Sequence, residues 1–424
     1  MTTQEHPGPG PAAASDAAPA VSRRWLVAFV LAMVGVATGW FGPIQILLPA
    51  QAETIAGADG KEHLLALVTG WGALASMVAN PLWGALSDRL RTRWGRRRPV
   101  LVAGVVVGVA GLLVLAAAET RGLMLAGWLI VQIGLNGPMA ALAAMLADHV
   151  PERQRGTVGA WFGIAQTLGV VLGTAVAVVA GEGALGYVAV AVAVPALAVA
   201  ILLAHRETAV GPAAPPVSDT AVTPAAAPAR PDWRTLRPTA AYAWVWTLRL
   251  LMNLVNGLVL LYLYYFLDDA VGVDDPGTWV LVLTAITAFV AMGVAGVGGV
   301  LSDRWGRRKV FIVAAAVLLA AGAVVMAAAP VLPAVLAATL LVGAGWGLYV
   351  SVDLAVLTAV LPDATTRATM LGVGNIASAL PQVLAPVIAA PLVTSAGGYP
   401  LLYGLAAGLA VAALVGVRML RDVP

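Results

Sequence analysis

The sequence predicts an all-α membrane protein of twelve transmembrane helices arranged as two pseudo-symmetric halves of six. Three observations carry this prediction. The 424 residues are 60% hydrophobic and 11% charged, and a soluble domain would carry roughly twice that charge. They divide into about twelve apolar windows, each near the ~20 residues that a bilayer span needs. One arginine-rich turn is written twice: Gly84, Asp88, Arg89, Gly95, Arg96, Arg97 and Arg98 after the second window, and Gly299, Asp303, Arg304, Gly306, Arg307, Arg308 and Lys309 after the eighth. Asp88 and Asp303 are 215 residues apart, about half the chain, which is the mark of an internally duplicated membrane domain.

Taken in order, residues 1–22 are Ala/Pro/Gly/Ser-rich without periodicity and predict a disordered cytoplasmic tail. They lack the pattern of a cleavable signal segment. Apolar windows follow at 25–49, 63–87, 99–118, 121–147, 156–180 and 184–204, forming an N-terminal half over 23–205. Residues 206–238, rich in Ala, Pro and Thr, read as a flexible cytoplasmic linker. The C-terminal half, 239–424, holds windows at 240–267, 277–301, 309–329, 332–361, 368–394 and 399–420. Asn80–Pro81 and Pro381–Gln382 predict kinks. Glycines 104, 108, 111, 169, 173, 343, 345 and 347 predict close helix packing. Trp25, Trp128 and Trp279 are assigned to an interfacial aromatic belt, as are Tyr262, Tyr264 and Tyr265. Those tyrosines, with Trp40 and Trp346, could alternatively stack on a sugar ring.

Charge placement orients the chain. Of the 24 Lys and Arg residues, 21 fall on the side of the tail and linker and two, Lys61 and Arg121, on the other, while Arg249 lies within a window. The loops on the side of Lys61 and Arg121 are acidic, with Glu53, Asp59, Glu62, Glu119, Glu182, Asp268, Asp269, Asp274 and Asp275. The positive-inside rule then places both termini in the cytoplasm of a multi-pass protein of the cell membrane. The basic balance therefore reports topology and implies no nucleic-acid partner. Cys is absent and the four His fall in tails or at helix ends, so neither a metal-ligand cluster nor a catalytic triad can be assembled and an enzyme is not expected.

At these motifs the chain resembles the major facilitator superfamily of secondary transporters. The resemblance covers both halves and rests on the six-and-six spans, the duplicated turn, and the run Asp148, Pro151, Arg153, Arg155, Gly156 after span 4 with its counterpart Pro362, Asp363, Arg367 after span 10. The insertion Leu90–Arg93 in the first turn resembles the glycoside and sucrose:cation symporter branch, as does Asn136-Gly137-Pro138 followed by Asp148. Drug exporters of the superfamily usually carry an arginine on span 4 and a Gly-Pro step on span 5. Here those stretches read Val131-Gln132-Ile133-Gly134 and Leu168-Gly169-Val170-Val171, which favours uptake over export.

The resemblance implies a conformational latch made of Gly84, Asp88, Arg89, Gly95, Arg96, Asp148, Arg155, Gly299, Asp303, Arg304, Gly306, Arg307 and Arg367. Asp88 would approach a helix N-terminus of the opposite half near Ala368, and Asp303 one near Gly156, where the helix dipole favours a carboxylate. The alternative to a latch is that the arginines only set topology and bind anionic lipid headgroups.

An ionisable residue inside the membrane is costly and by default functional. Arg249 on span 7 and Asp353 on span 10 both lie about 14 Å from the basic side, so they predict a pair, since neither charge is easily buried alone. Asn253 and Asn256 share the Arg249 face at i+4 and i+7. Gln132 and Asn136 on span 4, Gln166 on span 5, and Asn375, Ser378 and Gln382 on span 11 add amides suited to a hydroxyl-rich ligand, or to interhelical bonding. The sequence thus predicts a monomeric transporter of a small molecule, a sugar or glycoside by first choice, working in the lipid bilayer by alternating access. It has no cofactor beyond a proton or another cation as coupling ion. The alternatives are a drug or secondary-metabolite exporter and a non-transporting membrane sensor or scaffold.

Overall fold

The computed structural model describes residues 20–205, 239–361, 367–395 and 397–419, without the side chains of 367–369. Most of the expected tail and the whole of the linker lie outside the described residues, as do Pro362, Asp363 and the Arg367 side chain.

Twelve helices among the described residues are long and apolar enough to cross a membrane: α1 Arg23–Ala56, α2 Lys61–Arg89, α3 Arg97–Ala116, α4 Arg121–His149, α5 Glu152–Ala180, α6 Ala184–Ala204, α7 Ala240–Leu261, α8 Pro276–Trp305, α9 Arg308–Ala328, α10 Leu332–Ala359, α11 Met370–Val393 and α12 Gly398–Arg418. Only helices satisfy every backbone polar group within one lipid-embedded segment. Side chains start several of them: Ser22, Thr120, Thr239 and Asp275 accept the backbone N–H groups of Trp25, Leu123, Tyr242 and Thr278. The Thr278 N–H, 2.9 Å from the Asp275 carboxylate, holds that carboxyl below its ordinary range. The protein is a multi-pass membrane protein.

The described residues form two compact units. One comprises those within Met1–Pro43 and Ala75–Pro212, the other those within Ile44–Leu74 and Ala213–Pro424. In the first, α1 packs on α5 and α6, and α3 on α4 and α6. In the second, α10 packs on α8 and α9, and α7 on α11 and α12. Glycine sets the tightest of these approaches. A Cβ at Gly108 would lie 2.6 Å from Leu135, one at Gly111 2.6 Å from the Val131 nitrogen, and one at Gly347 2.5 Å from the Ala291 carbonyl. The opposite faces expose Val27, Val106, Val179, Leu203, Phe289 and Val411, an apolar coat suited to lipid.

Two irregular turns mark the second unit. Pro43 contributes no N–H to the α1 ladder, and Pro43–Leu47 runs as a π-helical turn. α7 breaks at Tyr262, resumes over Leu263–Tyr265 and ends in a second π turn, Phe266–Val271, closed by Gly272 at φ 70°. These turns bring the ends of α1, α2 and α7 onto one buried cation. The Lys61 ammonium lies 2.8 Å from Asp269, 3.2 Å from Glu53, 3.8 Å from Asp268 and 4.7 Å from the centre of the Tyr265 ring. Tyr399 donates to the other Asp269 oxygen at 2.7 Å. The Tyr262 hydroxyl donates to the Glu62 carbonyl and that of Tyr265 to the Pro49 carbonyl.

This arrangement corrects the belt assignment. Tyr262, Tyr264 and Tyr265 are buried in protein, and so are Trp25, stacked on Phe29, and Trp128. Each ring is enclosed by protein rather than left open at a surface.

Lys61→Met should lower stability by about 2 kcal/mol, less than for a wholly enclosed pair because the three carboxylates are each about one-third exposed. Thermal unfolding of detergent-purified protein reads this out, and Lys61→Met/Asp269→Asn should recover part of the loss. An unchanged Tm in the single variant would mean that the cluster contributes nothing.

Candidate functional site

Helices α7 to α12 contain two charged residues away from their ends, Arg249 and Asp353. The second unit brings them together. Arg249 Nη1 lies 2.6 Å from Asp353 Oδ2, a close ion pair. Its Nε donates to Ser378 Oγ on α11 at 2.7 Å. The side chains of Arg249 and Asp353 are 11% and 20% exposed.

Neighbours on the same helices complete the arrangement. Tyr349, one turn before Asp353 on α10, donates its hydroxyl hydrogen to Asp353 Oδ1 at 2.6 Å. Asn253, one turn after Arg249 on α7, donates to the Arg249 carbonyl at 2.8 Å and to the Tyr349 oxygen at 3.4 Å. Trp346 packs its ring 5.4 Å from that of Tyr349. Below this layer, Tyr242 and Trp246 donate to the Met370 and Val373 carbonyls, fixing α7 against α11. Asn256 Oδ1 is buried without a hydrogen-bond partner among the described residues. Asn375 and Gln382 are exposed, and neither joins the Arg249 contacts, although Ser378 on the same expected face does.

The amides of the first unit behave differently. Asn136 is buried, and its amide accepts from Asn80 at 3.1 Å and donates to Ser76 at 2.8 Å and to the Gln132 carbonyl at 2.7 Å. It ties α2 to α4, using both amide hydrogens within the first unit. Gln132 and Gln166 are half-buried.

At the Arg-rich end, the first copy of the repeated turn is organised by Arg97. Its guanidinium reaches Asp88 at 2.7 Å, Asp148 at 2.8 Å and Ser87 Oγ at 2.9 Å, and Arg96 adds a 3.7 Å contact to Asp148. Gly95, at φ 90°, makes the reversal that delivers Arg97 to this position. The sequence offered three consecutive arginines, and only the turn selects the second. Arg155 donates to the Ala147 and Val150 carbonyls at the end of α4, where a cation meets unpaired carbonyls. In the second copy Gly306, at φ 61°, closes α8. Asp303, Arg304 and Arg307 are exposed, and Asp303 makes no ion pair among the described residues. Arg89 is exposed as well, and a Cβ at Gly84 or Gly299 would meet open space. The expected approach of Asp88 to Ala368 falls on a side chain outside the described residues.

Sequence reasoning missed Arg97, Tyr349 and Lys61 as organising residues. Tyr349 had a signal, its i, i+4 spacing to Asp353; Lys61 had none beyond its acidic surroundings.

The family profile of the Major Facilitator Superfamily matches residues 27–386 and 279–424. The chain is 30% identical over 176 residues to the sucrose transport protein SUC4 of Arabidopsis thaliana, covering 37% of this chain and 33% of that protein. It is also 30% identical over 99 residues to the glucose transporter GlcP of Staphylococcus epidermidis, covering 23% and 22% of the two chains. These matches thus span a third or less of each relative. The fold is shared with the crystal structure of the peptide transporter POT in complex with sulfate (TM-score 0.72, 15% identity, 96% of both chains covered). It is shared too with that of the nucleoside transporter NupG (TM-score 0.70, 13% identity, 94% and 100% covered). With a profile match along almost its whole length, the chain belongs to the Major Facilitator Superfamily.

Proposed function

We propose that this protein is a transporter that couples the entry of protons to the uptake of a sugar or glycoside by alternating access. The observation that carries the reading is the Arg249–Asp353 contact, an acid and a base held 2.6 Å apart in the middle of the spans. A carboxylate there is stable while Arg249 is beside it. A substrate hydroxyl or carboxylate that engages Arg249 weakens that contact and frees Asp353 to take a proton. Asn253 and Asn256 on the same face of α7, with Gln132, Gln166, Asn375 and Gln382 on other spans, are the proposed hydrogen-bonding groups for a polyhydroxylated ligand. The sugar class rests on the relatives, which include sucrose and glucose transporters and the general alpha-glucoside permease of Schizosaccharomyces pombe.

The positive-inside rule orients the Arg-rich end and both termini toward the cytoplasm of a cell or inner membrane. In this reading Asp88 and Asp303 act as the conformational latch, with Arg97 and Asp148 setting the direction of Asp88.

In proteoliposomes with an imposed pH gradient, Asp353→Asn should abolish gradient-driven accumulation while leaving passive exchange. Accumulation equal to the parent's would remove Asp353 as the coupling site. In a thermal-shift screen, sucrose, maltose or glucose at a hundred times its Kd should stabilise the protein by about 2.7 kcal/mol; stabilisation by lipophilic cations alone would favour an exporter instead. Arg249→Gln should destabilise by about 3 kcal/mol because it strands Asp353, and Arg249→Gln/Asp353→Asn should lose less. Equal unfolding temperatures for the two variants would show that the charges do not depend on one another.

A further inference from the structure

Asp353 is engaged through both of its oxygens. Oδ2 lies on Arg249 and Oδ1 accepts the Tyr349 hydroxyl hydrogen at 2.6 Å. Each oxygen keeps a second lone pair, but a proton arriving at Oδ1 meets the Tyr349 hydroxyl hydrogen already aimed at that oxygen, so the hydroxyl has to turn before it can accept from the neutral acid. Arg249 has no acceptor and can only move away. Tyr349 is different, because a phenol both donates and accepts.

Its oxygen is already within 3.4 Å of the Asn253 amide, and an amide presents an acceptor as well as donors. Among the described residues the charged group facing this cluster is Arg249 from α7. Ser378 from α11 meets it through Arg249, the Tyr242 phenol faces Arg249 from the same helix, and α8, α9 and α12 carry no Asp, Glu, His, Lys or Arg away from their ends.

We propose that Tyr349 is a positioning residue for proton uptake at Asp353, acting as a reversible hydrogen-bond switch with Asn253. This rests on the reading of Asp353 as the proton site. In the charged state Tyr349 donates to Oδ1. When a proton delivered by hydronium, which leaves as water, binds Oδ1, the Tyr349 O–H rotates away and its oxygen accepts the new Asp353 O–H; the Asn253 amide turns its oxygen toward Tyr349 in place of its nitrogen, giving up its bond to the Arg249 carbonyl, and accepts the Tyr349 hydrogen. No covalent bond other than the new O–H is formed and none within the protein is broken. The charged and the neutral acid are then each hydrogen-bonded by the same residue, so that neither is left with an unmet polar atom in a low-dielectric layer. Phenylalanine at 349 keeps the ring and its packing on Trp346 but abolishes the switch.

Substrate-free infrared difference spectroscopy across a pH titration in lipid nanodiscs tests this. The parent protein should show a protonated-carboxyl band that Asp353→Asn removes. In Tyr349→Phe that band should move to higher frequency, because the acid has lost its hydrogen-bond acceptor, and Asn253→Ala should perturb it in the same sense to a lesser extent. If no band depends on Asp353, the proton-site reading itself fails. A band that depends on Asp353 but is unmoved in Tyr349→Phe and Asn253→Ala overturns the switch while leaving that reading intact.

Discussion

A charge withdrawn from water has to find its counter-charge within the protein, and this requirement organises the described structure around three cations. In the first unit Arg97 meets Asp88 and Asp148; in the second Arg249 meets Asp353, and Lys61 meets Glu53, Asp268 and Asp269. Each hub is a cation with little exposure, and each draws its partners from at least two helices. Because a stranded buried charge costs several kcal/mol while a matched pair nearly balances, these contacts add modest stability but strongly restrict which helices lie beside one another.

The three hubs differ in what else surrounds them. Arg97 and Lys61 are saturated by carboxylates, and Lys61 is further covered by the Tyr265 ring. Arg249 has one acid and one hydroxyl, and its acid is in turn held by a tyrosine within reach of an amide. A centre with a single acid and adjustable neutral partners suits a change of protonation, whereas one with two or three acids around a cation suits a fixed junction. In the first unit the buried polar residue Asn136 is instead bonded to Asn80, Ser76 and the Gln132 carbonyl.

Glycine and proline supply the geometry that lets these charges meet. Gly95 turns the chain so that Arg97 points inward, and glycine contacts between α3 and α4 allow the spacing at which Asp148 is reached from α3. Pro43 and the π turn after Tyr265 re-aim α1 and α7 toward Lys61. The long apolar helices between these points are interchangeable in composition, with Val, Ala and Leu doing the same work in each.

The sequence by itself determined the twelve spans, carried the repeat of 215 residues, and marked Arg249 and Asp353 as charges away from helix ends. Apolar length, duplication and charge placement are local properties that survive without any knowledge of packing. Only the tertiary structure decided which of three adjacent arginines is buried, that Asn136 holds two helices together, and that Tyr262, Tyr265, Trp25 and Trp128 face protein instead of lipid. The physical reason is that almost every face of these helices is apolar. Hydrophobic periodicity, which identifies the inner face of a soluble helix, then carries little information, and the inward direction is set by glycine contacts and paired charges that appear only once the helices are in place.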